Sequence, residues 1–317
     1  MMYNFKNKPK ASAMSKHPSL LEQFRSFYFQ NNPKNVEEAI KYFAVFGGMG
    51  WNVDTSKPLE ELIESKVLNN YTYIHSDVTK VTQSDKICHS VLTGLAMGDR
   101  RTHSAFKRAR IGRQEGEDAL EKLYNSDIIE LEYSQESAPN ERDSASQKVN
   151  FTAPFIRFWF SFISPFFKTI KVGDYKESKE RFTNLEQGFS ELIFQKLALE
   201  VIKKNLTDDP IVEIGSYWDK NTEIDILAKT KSGKIVAGIC KYSNAKANKN
   251  ELTKLKEQCK IAELTPDICV IVSKNGFSNE LKNLKSAELK LFSLKNFKSL
   301  VEDLSESDLL QIEGKKY

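Results

Sequence analysis

The chain is poor in the residues that build metal centres, covalent staples or membrane spans. Its four cysteines, Cys88, Cys240, Cys259 and Cys269, stand singly with no CxxC pair, and no histidine follows at zinc-ligand spacing. Neither a disulfide framework nor a zinc site is indicated, and a reducing, cytoplasmic setting fits. Gly47, Gly48 and Gly50 cluster, but no Lys followed by Ser or Thr closes a phosphate-binding loop there or elsewhere, so ATP is not an expected ligand. The opening "MMYNFKNKPKASAMSKHPSLLEQF" has lysines but no apolar run before a small-residue cleavage site, which argues against a secretory signal. The most apolar stretch, "FTAPFIRFWFSFISPFFKTI" at 151–170, is broken by Pro154, Arg157, Pro165 and Lys168 and is shorter than a bilayer span. It reads as an aromatic connector packed between domains, with no membrane role.

What remains is an ordinary globular composition: 317 residues, 40% hydrophobic, 28% charged, with a formal charge of +4. That length can bury two or three cores, and any basic partner surface must be local.

Periodicity and turn residues divide the chain. Residues 1–34 read as a tail leading into a helix. A helical module over 35–85 has one helix from Asn35, a break at Gly47 and Gly48, and a second around 59–68. Over 86–153 three short helices (86–97, 102–109, 113–125) precede strands at 128–133 and 148–153, the order of a winged helix-turn-helix. The polar "SQESAPNERDSASQ" between those strands reads as a loop tip. The aromatic connector fills 154–183. Residues 184–306 give a helix, strands at 211–218, 222–229 and 234–242, a Lys-rich helix at 249–263, a doubly buried strand at 267–273, a further helix and a strand at 288–294; a tail follows at 307–317. The expected class is α/β and multidomain, ending in a restriction-endonuclease-like αβββαβ unit.

The stretch "EIDILAKTKSGKIVAGICKYS" at 223–243 carries the chemical question. Metal-dependent phosphodiester cleavage needs two carboxylates converging on a divalent ion and a lysine beside them. Adjacent strands supply these as the PD-(D/E)xK pattern, in which the acid and the lysine share a face by the period-two rule. Asp225 takes the first acid position, Lys241 the lysine position, and Glu191 in the preceding helix is the additional acid. The second acid position is Ile239, which has no oxygen for a hard cation, so the set is degenerate. Glu213 and Glu223 are the substitute acids within reach; Glu223 shares the face of Asp225 if the strand is regular. Mg²⁺ at Asp225 is the cofactor this pattern allows.

The segments "FIRFWFSFISP" (155–165), "GFSELIFQKLA" (188–198), "EIGSYWDKNTEIDILA" (213–228) and "GICKY" (238–242) resemble the domain of unknown function 234, over roughly residues 86–245 with the upstream winged helix included. That family commonly forms the C-terminal part of archaeal and bacterial P-loop ATPases. The resemblance implies a nuclease-like fold and lends no defined activity. Here the family's usual "GECK" stands as Gly238-Ile239-Cys240-Lys241, and no ATPase domain is expected in front of it.

Between 99 and 113, Arg100, Arg101, Lys107, Arg108, Arg110 and Arg113 face one acid, Asp99, enough charge to contact several phosphates of double-stranded DNA. The following helix carries Glu115, Glu117, Asp118 and Glu121, leaving Arg113 and Gln114 as base readers. Glu136, Glu141 and Asp143 against Arg142 leave the wing tip acidic. No arginine follows Arg181, so the lysine-rich C-terminal region suits phosphate contacts indifferent to sequence. The leading expectation is a DNA-associated protein whose nuclease-like domain is inactive. A Mg²⁺-dependent nuclease using Asp225 and Lys241 with a substitute acid is one alternative; an adaptor for a separate ATPase or protein partner is the other.

Overall fold

Helix starts follow the caps in the sequence. Ser19 and Glu22 close a capping box at the head of α1 (Leu20–Asn31), Asn35 caps α2 (Val36–Phe46), and Asp85 caps α5 (Lys86–Ala96). The computed structural model describes residues 17–135 and 147–310; Glu136, Glu141, Arg142 and Asp143, expected at a wing tip, lie outside them.

The first helical region packs α1 on α2, with the rings of Phe24 and Phe43 edge to face at 5.3 Å. After α2 come α3 (Leu59–Leu62), a π-helical segment (Ile63–Leu68) and α4 (Tyr71–Val81). Helix α4 is absent from the sequence reading, because its β-branched and aromatic residues weaken helix propensity. Its helical spacing of Tyr71, Ile74 and Val78, all buried, is the signal that marks it.

Next, α5, α6 (Thr102–Ala109) and α7 (Arg113–Asn125) precede an antiparallel hairpin of β1 (Ile129–Glu132) and β2 (Lys148–Phe151). Arg101 adds a single antiparallel bridge to Lys148.

The aromatic stretch forms α8 (Pro154–Phe158), a π-helical segment (Trp159–Ile163), a 3-10 turn and α9 (Phe167–Lys171). Phe155, Phe158, Trp159, Phe160 and Phe162 are at most 1% exposed, so this segment is core rather than linker. Trp159 stacks on Tyr71, and Phe158 meets Phe182 of the next helix, α10 (Lys176–Asn205). The boundary drawn at 184 therefore falls inside α10. Among the described residues no helix is long and apolar enough to cross a membrane.

The C-terminal region is a five-stranded mixed sheet: β3 (Ile211–Trp218), β4 (Glu223–Thr230), β5 (Ile235–Lys241), β6 (Ile268–Ser273) and β7 (Leu289–Ser293), in that spatial order. The first three form an antiparallel meander; β5, β6 and β7 run parallel, joined through α11 (Lys249–Ile261) and α12 (Asn279–Asn283). One face of β5 (Val236, Cys240) joins the large core with α10, and the other (Ala237, Ile239) packs with Leu255 and Cys259 of α11. With both faces covered, β6 is buried from Cys269 to Ser273, as its continuous apolar run requires. At the end of the described chain, Arg25 holds Asp308 at 2.6 Å and Ser26 accepts the Leu310 amide.

Candidate functional site

The open end of the sheet lies where β4 and β5 part. Their ladder runs only from Ile226 paired with Gly238 to Lys229 paired with Ile235. Against β3, Gly215 pairs with Leu227 but Tyr217 pairs with Ile224, so β4 carries one extra residue around Asp225. This bulge reverses the alternation: Ile224 packs on the α11 side and Ile226 on the α10 side. The regular strand expected across Glu223 and Asp225 is therefore not formed. In place of a backbone acceptor, Asp225 Oδ2 takes the amide hydrogen of Cys240 at 2.8 Å.

Asp225 has Glu191 of α10 as a like-charged neighbour, and the backbone N–H of Tyr242 acts to lower the Glu191 carboxyl. Burial pushes the Asp225 carboxyl up to about 6; the Cys240 amide opposes this, Glu223 adds to it, and Lys254 and Lys148 offset it. Burial raises Glu191 as well, with Asp225 as the next cause. The structure thus brings together two of the expected acids.

The others go elsewhere. Lys241 ion-pairs with Glu251 of α11, and burial of Glu251 is outweighed by its hydrogen bonds to Lys241 and to the Asn248 amide, which hold its carboxyl below the ordinary value. Ile239 is buried in the apolar layer against α11. Glu213 is exposed opposite Lys229, toward the far end of β4. Glu223 pairs with Lys148 at 2.5 Å and lies 3.9 Å from Arg101. Glu251 is the acid missed as a lysine partner: it reads as one charge on a solvated helix, and only the α11 crossover sets it beside β5. Among the described residues no group of three or more His, Cys, Asp or Glu is placed to hold a metal ion. With the second acid position apolar, the lysine occupied and one Asp225 oxygen engaged by a backbone amide, these residues do not fit the metal-and-lysine arrangement.

The basic segment divides likewise. Arg100, in a left-handed conformation (φ 66°), turns inward to Glu132 at 3.0 Å and to Asn150, and Lys196 of α10 reaches the other oxygen of Glu132 at 2.6 Å. Burial opposes ionisation of Glu132, but Lys196 and Arg100 together hold its carboxyl down at about 2. Arg113 pairs with Glu117 at 2.7 Å and Gln114 with Asp118 at 2.8 Å, each one turn along α7. Lys107, Arg108 and Arg110 are exposed and form no ion pair among the described residues.

The hairpin is fixed to the sheet. Lys148, nearly inaccessible, lies 4.5 Å over the Trp218 ring, Ser134 Oγ accepts the Trp218 amide at 2.8 Å, and the Gln135 amide donates to Ser216 at 3.0 Å. Residues 134 and 135 thereby cover part of the β3 edge, which would otherwise present unpaired backbone groups. Tyr217 and Asp219 serve the same turn: the Tyr217 hydroxyl donates to Asp219, whose other oxygen accepts the amides of Asn221 and Thr222.

No curated protein and no solved structure matches this chain. A family model described as archaea bacterial proteins of unknown function matches residues 159–254, which leaves the three-helix and hairpin unit upstream outside the matched span. That span takes in the buried aromatic segment from Trp159, α10, the meander β3 to β5 and the start of α11, and over these residues the chain matches the domain of unknown function 234.

Proposed function

We propose that this is a DNA-associated protein in which a winged helix is held rigidly against a restriction-endonuclease-like domain that binds and does not cut. The observation that carries the reading is the division of the basic segment. Arg100 is spent on Glu132 and Arg113 on Glu117, while Lys107, Arg108 and Arg110 stand exposed and without carboxylates among the described residues. Cations free of internal partners are the ones able to release counterions from a phosphate backbone. The order of three helices and a hairpin, with the Arg101 bridge beside it, supports the winged-helix assignment. The order of α10, the meander and α11 to β6 supports the nuclease-like one. Because Arg113 and Gln114 are tied along α7 and the hairpin is tied to β3, contacts go to phosphates and are indifferent to sequence.

Fluorescence anisotropy with a labelled duplex across a salt series tests this. Binding should weaken with salt, and replacing Lys107, Arg108 and Arg110 together by Ala should make the log–log slope shallower by roughly 2 to 3, at about 0.9 per phosphate contact. No binding at low salt, or an unchanged slope in the triple variant, refutes it. Added Mg²⁺ should leave the duplex intact.

A further inference from the structure

A cleft of about 500 Å³ lies away from the sheet's open end, between α1, the hairpin, α8 and one face of α10. Its apolar walls include Leu20, Leu21, Pro154, Ile193 and Leu197, and its polar wall includes Arg157 and Lys196. Arg157 is the unusual member. Its Nη1 donates to the Phe189 carbonyl at 2.9 Å and the guanidinium lies 4.0 Å from the Phe189 ring centroid. Among the described residues it has no carboxylate partner, and its guanidinium carries five N–H donors in all.

The surroundings deepen the imbalance. Arg157, Arg100 and Lys196 are neighbouring, half-buried cations, and the acid among them, Glu132, is bonded to both Arg100 and Lys196. Burial lowers the Arg157 guanidinium to about 9 and Arg100 adds to this, which leaves it charged at neutral pH. Among the described residues two acids line the cleft: Glu200 pairs with Lys203 at 2.9 Å, and Glu130, exposed at the rim, keeps its charge while accepting from the Asn150 side-chain amide at 3.3 Å. A half-buried cation without a carboxylate partner is incompletely hydrated, and an anion entering from the open side would supply its counter-charge.

We propose that this cleft binds a small organic anion, its acid group bonded to the open guanidinium of Arg157 and its apolar body lying on Leu20, Leu21 and Leu197. A planar guanidinium with free donors takes a carboxylate or a phosphate through paired, charge-assisted hydrogen bonds. The mixed lining matches the general make-up of metabolite pockets, mostly apolar with a few convergent polar groups.

The test uses the full chain, with hexanoate and phenyl phosphate as the two acid types, inorganic phosphate as the bare anion and hexanamide as the neutral control. Thermal melts and calorimetry should show saturable binding of at least one amphipathic acid at millimolar concentration or below, with hexanamide and inorganic phosphate much weaker. Whether hexanoate or phenyl phosphate binds tighter identifies the acid group. Arg157→Gln should weaken that binding about tenfold or more, the scale of a lost charge-assisted hydrogen bond. Leu20→Trp, at a half-buried position that leaves Arg157 in place, should block binding by filling the cleft and guards against misfolding of the first variant. Equal binding of hexanamide and hexanoate, unchanged affinity in either folded variant, or no response to any acid overturns the proposal.

Discussion

Helix α10 carries two buried charge clusters little more than one turn apart, and they behave oppositely. At Lys196 the carboxyl of Glu132 sits between two cations and is held at about 2; near Glu191 the carboxyl of Asp225 is raised to about 6, first by burial and then by the charge of Glu223. Both acids are desolvated, so burial cannot be the difference. The neighbours decide: opposite charges at bonding distance overcome desolvation, and a like charge adds to it. The first cluster joins the hairpin to α10. The second, with one hydrogen bond from the Cys240 amide, stores unfavourable energy at the open end of the sheet.

The largest way to break the contrast is Glu132→Gln, which leaves Arg100 and Lys196 facing each other without an anion. We expect a loss of about 3 to 5 kcal/mol in denaturant unfolding at pH 7. Glu132 has a folded pKa below its ordinary value, so its contribution is complete above about 4.5 and disappears as pH falls toward 2. The variant should therefore approach the parent in stability at the acid end of that window.

Asp225→Asn should act in the other direction. The native state holds the Asp225 proton more tightly than the unfolded chain does, so this group's penalty grows as pH rises from about 3.8 to about 6. Asn removes the charge and keeps an oxygen for the Cys240 amide. We expect a gain of about 2 to 3 kcal/mol at pH 7.5 that vanishes near pH 4, read from unfolding curves at both values. A loss at pH 7.5 would mean that the carboxylate is stabilised there by a partner other than those described.

The smallest effect belongs to Lys241→Met. Its ion pair with Glu251 lies at the same end of the sheet but is matched, partly solvated and also supported by the Asn248 cap. A change of about 1 kcal/mol or less is expected by the same unfolding measurement. A much larger loss would join Lys241 to the Asp225 cluster and reopen the catalytic reading.

Most elements were legible in sequence because each carries its own local signal. Ser19, Asn35, Asp85 and Asn248 mark helix starts, Gly233 with φ 89° marks the turn from β4 to β5, and the apolar run of β6 marks a strand covered on both faces. Helix α4 escaped because its propensity is weak, and the head of α10 because Lys176 to Asn184 is mostly polar on the surface side. The aromatic segment was visible as composition, but its place in the core was not, since Pro154 and Arg157 look like interruptions until Arg157 is seen lying on Phe189.

By itself the sequence determined most of the helices, the strand order along the chain and the loss of an acid at Ile239, because caps, periodicity and residue chemistry act within a few residues. Only the tertiary structure decided which charges meet. The bulge at Asp225 breaks the alternation that placed it with Glu223, the α11 crossover delivers Glu251 to Lys241, and docking of the hairpin buries Lys148 and ties Arg100 to Glu132. Charge pairing depends on residues far apart in sequence, and a one-residue shift in register redirects a side chain to the other face of a sheet.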